Sequence, residues 1–376
     1  MVSPFLPDPD KVAAVRALLP ATGAGIYLNA GMVGPMPAES QRAMDERAAR
    51  ELAVGRANVH EIPEVLERMA EARAAVAAVL VGDPDDVALT HSTTDGLAIA
   101  LGALPWQPGD RLVTTTQEHP GILGTAYALR DRLGVDLAHA EVGDGGDADA
   151  VVAVSHVLWT TGTVLPVARI AAVARAAGAA VIVDGAQSAG AIPVAVEDLG
   201  VDAYAVPAQK WLLGPEGMGA LWASRAFATS VVPAAASYFS FATFDPPERW
   251  PNARRFEATS YHRPSIVGFA RSCGWLTMYV GLPWALERAG RLARAAAERL
   301  AAIPGVTLLT PRDAMATLVT FRIAGWGSEA AVDELGARVF AITRALPMDA
   351  IRISVGFWNT DEELERFASA GAPPPP

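Results

Sequence analysis

The chain has 376 residues, 51% of them hydrophobic and 19% charged, with a net charge of −11 and a pI near 5.1. That is a folded chain of one large or two medium domains with a substantial core, and its acidic balance excludes the clustered basic face of a nucleic-acid-binding protein. Its one cysteine, Cys273, excludes an internal disulfide and a cysteine-based zinc site, and fits a reducing compartment.

MVSPFLPDPDK at the start lacks the basic and apolar regions of a secretory signal, and no apolar run approaches the roughly eighteen residues of a membrane span. A cytoplasmic protein without membrane or nucleic-acid partners is expected. A short amphipathic helix is expected at 10–19. IYLNAGMVGPMP (26–37) then reads as a strand running into a Gly/Pro turn, where Asn29 bonds its own backbone or contacts a ligand. Helices follow at about 38–53 and 61–80, the second with Ile62, Val65, Leu66, Met69, Val76 and Leu80 at helical spacing. Arg56 and His60 between them read as surface or interface residues.

Residues 83–104 read strand, polar turn, helix, with Ser92, Thr93 and Thr94 where the helix begins. Free backbone N–H groups and the positive dipole end make such a place a phosphate site, although the same residues are also ordinary caps. Residues 111–134 repeat the pattern and carry Glu118-His119-Pro120. A planar imidazole titrating near neutrality suits both ring stacking and proton transfer, and it also serves structural roles. GDGGDADA (143–150) lacks the spacing and terminal glutamate of a calcium loop and reads as a solvated turn. No histidine cluster suggests a metal. Residues 151–178 read strand, loop and helix, with Trp159 in the loop.

In 180–222 a β-branched run, Val181 to Val183, ends on Asp184, and a second run, Ala203 to Val206, ends just before Lys210 in a Gly/Pro-rich turn. Such runs read as buried parallel strands, whose carboxyl ends are where open α/β sheets place ligands. An acid and an amine are both costly there unless a ligand uses them. Pyridoxal phosphate supplies both partners: a protonated ring nitrogen for the carboxylate and an aldehyde for the lysine amine.

Residues 231–253 are irregular and aromatic (Tyr238, Phe239, Phe241, Phe244, Trp250), a packed surface loop or part of a substrate wall. Helices are expected at about 264–281 and 284–302, then strands at 305–310 and 317–323, a helix at 328–345, a strand at 351–354 and a helix at 360–369. The tail GAPPPP reads as disordered. The fold class is α/β, a mostly parallel central sheet flanked by helices with a smaller α+β C-terminal domain. The expected division is 20–245 for the large cofactor-binding domain and 246–370 for the small one, joined by the N-terminal helix 1–19.

DGAQS (184–188) and QKWLLGPEGMGALW (209–222) resemble the fold-type I pyridoxal phosphate enzymes of aminotransferase class V, the group holding cysteine desulfurases and isopenicillin N epimerases. The resemblance runs over roughly 25–365. It implies that Lys210 carries the cofactor, Asp184 faces its ring nitrogen and Gln187 contacts its phenolate oxygen. It implies a phosphate site at Thr93 and Thr94, in a turn similar to the family's Gly-Thr-Thr-Glu, and a ring-stacking, proton-transferring role for His119. Asn29 falls in a segment that lines the substrate side. Two departures point to a side branch. Gln209 stands where the family has a phosphate-binding histidine. Trp159 stands where an asparagine bonds the phenolate, and its bulky single-donor indole either shapes the pocket or packs in the core. RRFEATS (254–260) resembles the segment whose hydroxyl, here Thr259 with Ser260 in reserve, reaches the phosphate of the neighbouring subunit. A homodimer with shared active sites follows from that. IRISVGFWNTDEEL (351–364) resembles the segment whose arginine, here Arg352, grips the substrate α-carboxylate with a two-pronged guanidinium.

Desulfurases of this family need a nucleophilic cysteine on a mobile C-terminal loop. AITRALPMDA, just before Arg352, has none, and Cys273 falls inside an expected helix. β-Elimination from an S-substituted cysteine (a C–S lyase), with Lys210 removing the α-proton, is therefore the leading expectation. Epimerisation or transamination is the alternative, and decarboxylating deamination a third. A non-catalytic cofactor-binding protein of the same fold is opposed by the intact Lys210, Asp184 and Arg352.

Overall fold

A computed structural model of the chain describes residues 8–140, 151–258 and 260–370. The GDGGDADA turn, Thr259 and the tail GAPPPP lie outside the described residues.

The centre is a seven-stranded sheet in the order Val87–Thr90, Gly219–Ala223, Ala203–Pro207, Val181–Asp184, Val151–Ser155, Arg111–Thr115, Asp136–Ala140. Gly219–Ala223 alone runs against the others; the remaining neighbours pair in parallel. Strands Gly219–Ala223, Ala203–Pro207 and Val181–Asp184 are buried at every position because helices cover both faces, and so they need no polar alternation. Val181 and Val183 point into the core shared with Met69, Val76 and Leu80 of helix Ile62–Leu80 and with Phe269 of helix Arg263–Gly274. Ile182 points the other way, toward Leu97 and Leu101 of helix Thr93–Gly102 and Ile122 and Leu129 of helix Pro120–Leu133. The period of two along one strand thus divides two cores.

A second, antiparallel sheet has the order Val306–Leu308, Leu318–Ile323, Ala350–Ser354, Arg344–Leu346. Leu292 and Leu300 of helix Leu282–Ala301, Leu335 of helix Ser328–Val339 and Phe367 of helix Asp361–Ser369 close a third core over it, together with Ile26 and Leu28. Ile26–Tyr27 pairs with Ala341–Ile342, so the segment carrying Asn29 runs alongside this unit. Helix Asp361–Ser369 starts in a capping box: Thr360 accepts from the Glu363 N–H at 3.2 Å, and Glu363 accepts from the Thr360 N–H at 3.2 Å.

Several elements differ from expectation. The helix expected at 328–345 ends at Val339, where Phe340 turns left-handed (φ 55°), and strands Ala341–Ile342 and Arg344–Leu346 follow. The irregular stretch 231–253 contains an antiparallel hairpin, Phe241–Phe244 with Pro247–Arg249. Asp136–Ala140 and Gly219–Ala223 are strands the sequence reading did not assign.

Candidate active site

Five site segments leave the carboxyl ends of five strands of the large sheet: Ser92–Thr94 after Val87–Thr90, Glu118-His119 after Arg111–Thr115, Trp159 after Val151–Ser155, Asp184 with Gln187 at and beyond Val181–Asp184, and Gln209-Lys210 after Ala203–Pro207. The reversed strand Gly219–Ala223 returns the chain after the Lys210 turn, so that turn stays at the same end. The result is a cavity of about 260 Å³ lined by Thr93, Thr94, His119, Trp159, Asp184, Gln187, Gln209, Lys210 and Arg352. Those nine residues are all ones the sequence singled out. Asn29 stands one step back: its Nδ2 contacts Met32 Sδ at 3.8 Å, and Met32 lines the cavity. Thr259 lies outside the described residues. Ser92, Ala186 and Pro207 also line the wall, as do Gly31, Met32 and Arg344, for which the sequence suggested no role.

The acid and the amine are poised by burial. Asp184 accepts from the Ala186 N–H at 2.8 Å, and burial raises its pKa while Lys210 pulls it back. Burial lowers the Lys210 pKa to about 8; Asp184 opposes that shift and Arg352 adds to it. Gly185, between them in DGAQS, has no room for a side chain, because a Cβ there would meet the Tyr204 ring at 2.1 Å. Tyr204 Oη in turn bonds Ser188 Oγ and lies 2.8 Å from His156 Nδ1. The glycine in this motif is therefore a packing requirement of the buried layer behind Asp184.

His119 caps its own helix: Nδ1 accepts from the Gly121 N–H at 3.0 Å. Burial, then the Lys210 and Arg352 charges, lower its pKa to about 4. A neutral ring whose Nδ1 accepts carries its proton on Nε2. Trp159 packs edge-on against this ring, with centroids 5.3 Å apart, and its carbonyl accepts from Arg352 Nη1 at 2.7 Å. Trp159 is thus a cavity wall rather than a core residue. Gln187 is held at both amide atoms, donating to the Gly31 carbonyl at 2.7 Å and accepting from Trp211 Nε1 at 3.0 Å.

Glu118 belongs to the supporting layer. It accepts from Thr115 Oγ1 at 2.9 Å, from the Ser155 N–H at 3.0 Å and from Ser155 Oγ. Ser155 pairs in register with Asp184. Burial pushes the Glu118 pKa up to about 7, against the pull of Ser155 and Thr115.

The residues fit pyridoxal phosphate. Thr93 Oγ1, Trp159 Nε1, Gln209 Oε1 and Arg352 Nε are buried polar atoms without a partner in the protein, and each such orphan costs about 1–3 kcal/mol. Four at one cavity mark a place completed by a polar ligand. Ser92 already caps helix Thr93–Gly102 by accepting from the Asp95 N–H at 3.0 Å, which leaves the Thr93 hydroxyl and the first-turn N–H groups for a phosphate.

Known proteins agree with this chemistry. The family model described as Aminotransferase class-V matches residues 27–367. A probable cysteine desulfurase of Mycolicibacterium paratuberculosis is 29% identical over 354 residues, 86% of this chain and 50% of that protein, so the chain spans half the length of that relative. Isopenicillin N epimerase of Streptomyces clavuligerus is 28% identical over 380 residues, 92% of this chain and 94% of that one. A complex of the cystine C-S lyase C-DES with its product cysteine persulfide superposes with a TM-score of 0.88 at 27% identity, covering 95% of this chain and 100% of that one. A C-DES mutant with glycine covalently linked to the PLP cofactor gives 0.87 at 27%, covering 94% and 98%. The chain belongs to the aminotransferase class V family: it is a fold-type I enzyme that uses pyridoxal phosphate and acts on amino acids.

Proposed function

We propose that the protein is a C–S lyase, eliminating the sulfur substituent from the β-carbon of an S-substituted cysteine. The observation that carries this reading is Cys273. It is the one thiol of the sequence, it is fully buried in helix Arg263–Gly274, and burial pushes its pKa up to about 12. A protonated, inaccessible thiol cannot attack a substrate sulfur, so the sulfur must leave with the substrate's own fragment. The likeness to C-DES supports the same reading.

Pyridoxal phosphate, when bound, supplies the electron sink that acidifies the Cα–H of an attached amino acid. The residues of this chain do the rest. The helix start at Thr93 and Thr94, with the Gln209 amide, would hold the phosphate. Asp184 would keep the ring nitrogen protonated, and Gln187 and Trp159 would serve the phenolate oxygen. Arg352 takes the α-carboxylate, and Asn29 steadies the substrate side through Met32. Lys210 takes the α-proton. The Cβ–S bond then breaks with its electron pair on sulfur; the Lys210 ammonium gives the proton it took from Cα to that sulfur, and the neutral His119 assists the transfer with a hydrogen bond from Nε2. One water converts the aminoacrylate product to pyruvate and ammonia. The segment at Thr259 completes the phosphate site of a second copy, in a homodimer.

Incubation with S-alkyl cysteines should release thiol and pyruvate in equal amounts, and Lys210→Ala should abolish both. Near full-length likeness to an epimerase favours one second reading, epimerisation through the same proton removal. Deuterium uptake at Cα from heavy water without thiol release would select that reading and overturn elimination.

A further inference from the structure

The cavity carries one more cation than the cofactor and an α-carboxylate use. Asp184 faces the ring nitrogen, Lys210 is the attachment amine, the helix start takes the phosphate, and Arg352 takes the carboxylate. Arg344 is left over, and it lines the same cavity.

Its position is unusual. Arg344 and Arg352 are an in-register cross-strand pair on antiparallel strands Arg344–Leu346 and Ala350–Ser354. Side chains directly opposite on such strands stand about 4.5–5.5 Å apart at Cβ, and like charges there repel. A protein normally relieves such a pair with a carboxylate. Among the described residues none lies within ion-pair distance of either guanidinium. Arg352 donates to the Trp159 carbonyl, and its Nε is buried without a partner. Arg344 Nη1 contacts Met32 Sδ at 3.4 Å, a weak acceptor on a side chain 47% exposed. The two cations also differ in depth: Arg352 is buried and Arg344 is exposed. One wall therefore presents an inner and an outer anion site.

We propose that Arg344 is a specificity-determining residue that binds a second anionic group at the far end of the substrate side chain. The preferred substrates are then dianionic amino acids. On the lyase reading, on which this last step rests, they are S-substituted cysteines whose sulfur substituent ends in a carboxylate or sulfonate.

The test uses the holoenzyme and matched pairs differing only in the distal charge: L-aspartate against L-asparagine, and L-glutamate against L-glutamine. Binding is followed by calorimetry and by the cofactor spectrum. At least one acid should bind about ten-fold more tightly than its amide, the scale of one charge-assisted hydrogen bond. In Arg344→Met that difference should fall below about two-fold, and in Arg344→Lys part of it should survive. Arg352→Met should weaken acids and amides alike. The proposal is overturned if the wild type shows no preference for the acids. It is equally overturned if Arg344→Met weakens acid and amide equally, which would make Arg344 a second arm on the α-carboxylate. S-carboxymethyl-L-cysteine and its carbamoylmethyl counterpart separate this from the lyase reading. If neither releases thiol while the acids keep their binding preference, elimination fails and the second anion site stands.

Discussion

Lys210 is held where an ammonium is poorly solvated, and the drop in its pKa to about 8 is what makes its amine a nucleophile and a base near neutrality. The rate at which the cofactor-free protein captures pyridoxal phosphate covalently, trapped with borohydride, should therefore rise with pH and level off near 8. A plateau near 10.5, the ordinary lysine value, would mean that the amine is solvated. A neighbouring residue carries a second test. Gly121 lets helix Pro120–Leu133 approach the Thr93-Thr94 turn proposed to hold the phosphate, since a Cβ there would stand 2.6 Å from Thr94 Oγ1 and 3.1 Å from His119 Nδ1. Gly121→Ala should weaken cofactor binding at least about ten-fold by pushing both side chains aside, with the fold stability nearly unchanged. Equilibrium dialysis and thermal melting separate the two. At this scale the sequence was legible where a residue type is costly in apolar surroundings, as Asp184 and Lys210 are, while His119 and Arg352 stood out through the family resemblance of the segments that carry them. Arg344 did not, because an arginine in an exposed segment is ordinary until its cross-strand neighbour is known.

The elements that hold the site are pinned by buried carboxyls. Glu118 joins the end of Arg111–Thr115 to the end of Val151–Ser155. With its pKa raised from 4.5 to about 7, the folded state keeps a proton that the unfolded state gives up across that interval. The contribution of Glu118 to stability is thus full below about 4.5 and lost as pH rises through about 7. Relative to Glu118→Gln, the cofactor-free wild type should lose up to about 3 kcal/mol between pH 4.5 and 8, as urea unfolding at each pH would read. Glu257 does similar work at the sheet edge. It pairs with Arg73 at 3.1 Å and accepts from the Leu89 N–H at 2.9 Å, while Tyr261 Oη donates to the Leu89 carbonyl, so both backbone groups of Leu89 on the free edge of the outer strand Val87–Thr90 are satisfied. Glu257→Ala leaves the buried Arg73 unpaired and should cost about 3–5 kcal/mol in urea unfolding. Sequence reading located these segments without seeing the links, which join residues far apart in the chain. It missed Gly219–Ala223 because Gly and Ala are poor strand formers and only burial between two neighbours makes them one. It ran the helix at 328 past Val339 because the stop is a left-handed Phe340, fixed by pairing with Ile26–Tyr27 rather than by a local signal.

At the scale of the whole molecule, the large sheet supplies Lys210, Asp184 and the residues around them and the antiparallel sheet supplies both arginines, so the proposed cofactor binding and substrate choice draw on different parts of the chain. That division follows from the topology, since parallel strands gather their carboxyl ends at one edge while Arg344 and Arg352 arrive on a hairpin. The proposed dimer extends the same logic to a second copy. Helices Ala38–Val54 and Ile62–Leu80, with the turn between them, leave Leu52 89%, Val59 66%, Ile62 51% and Leu66 44% exposed, a concentration of apolar side chains of the kind that marks an interface. Helix Ile62–Leu80 also carries Arg73, whose partner Glu257 is two residues from Thr259. A contact on this face is therefore mechanically linked to the segment proposed to complete the neighbouring phosphate site. The double substitution Ile62→Glu with Leu66→Glu should halve the mass measured by light scattering. It should also weaken cofactor binding about ten-fold or more, although neither residue lines the cavity. A variant that becomes monomeric yet holds pyridoxal phosphate as tightly as the wild type would show that each copy builds its phosphate site alone, and the shared site would be abandoned.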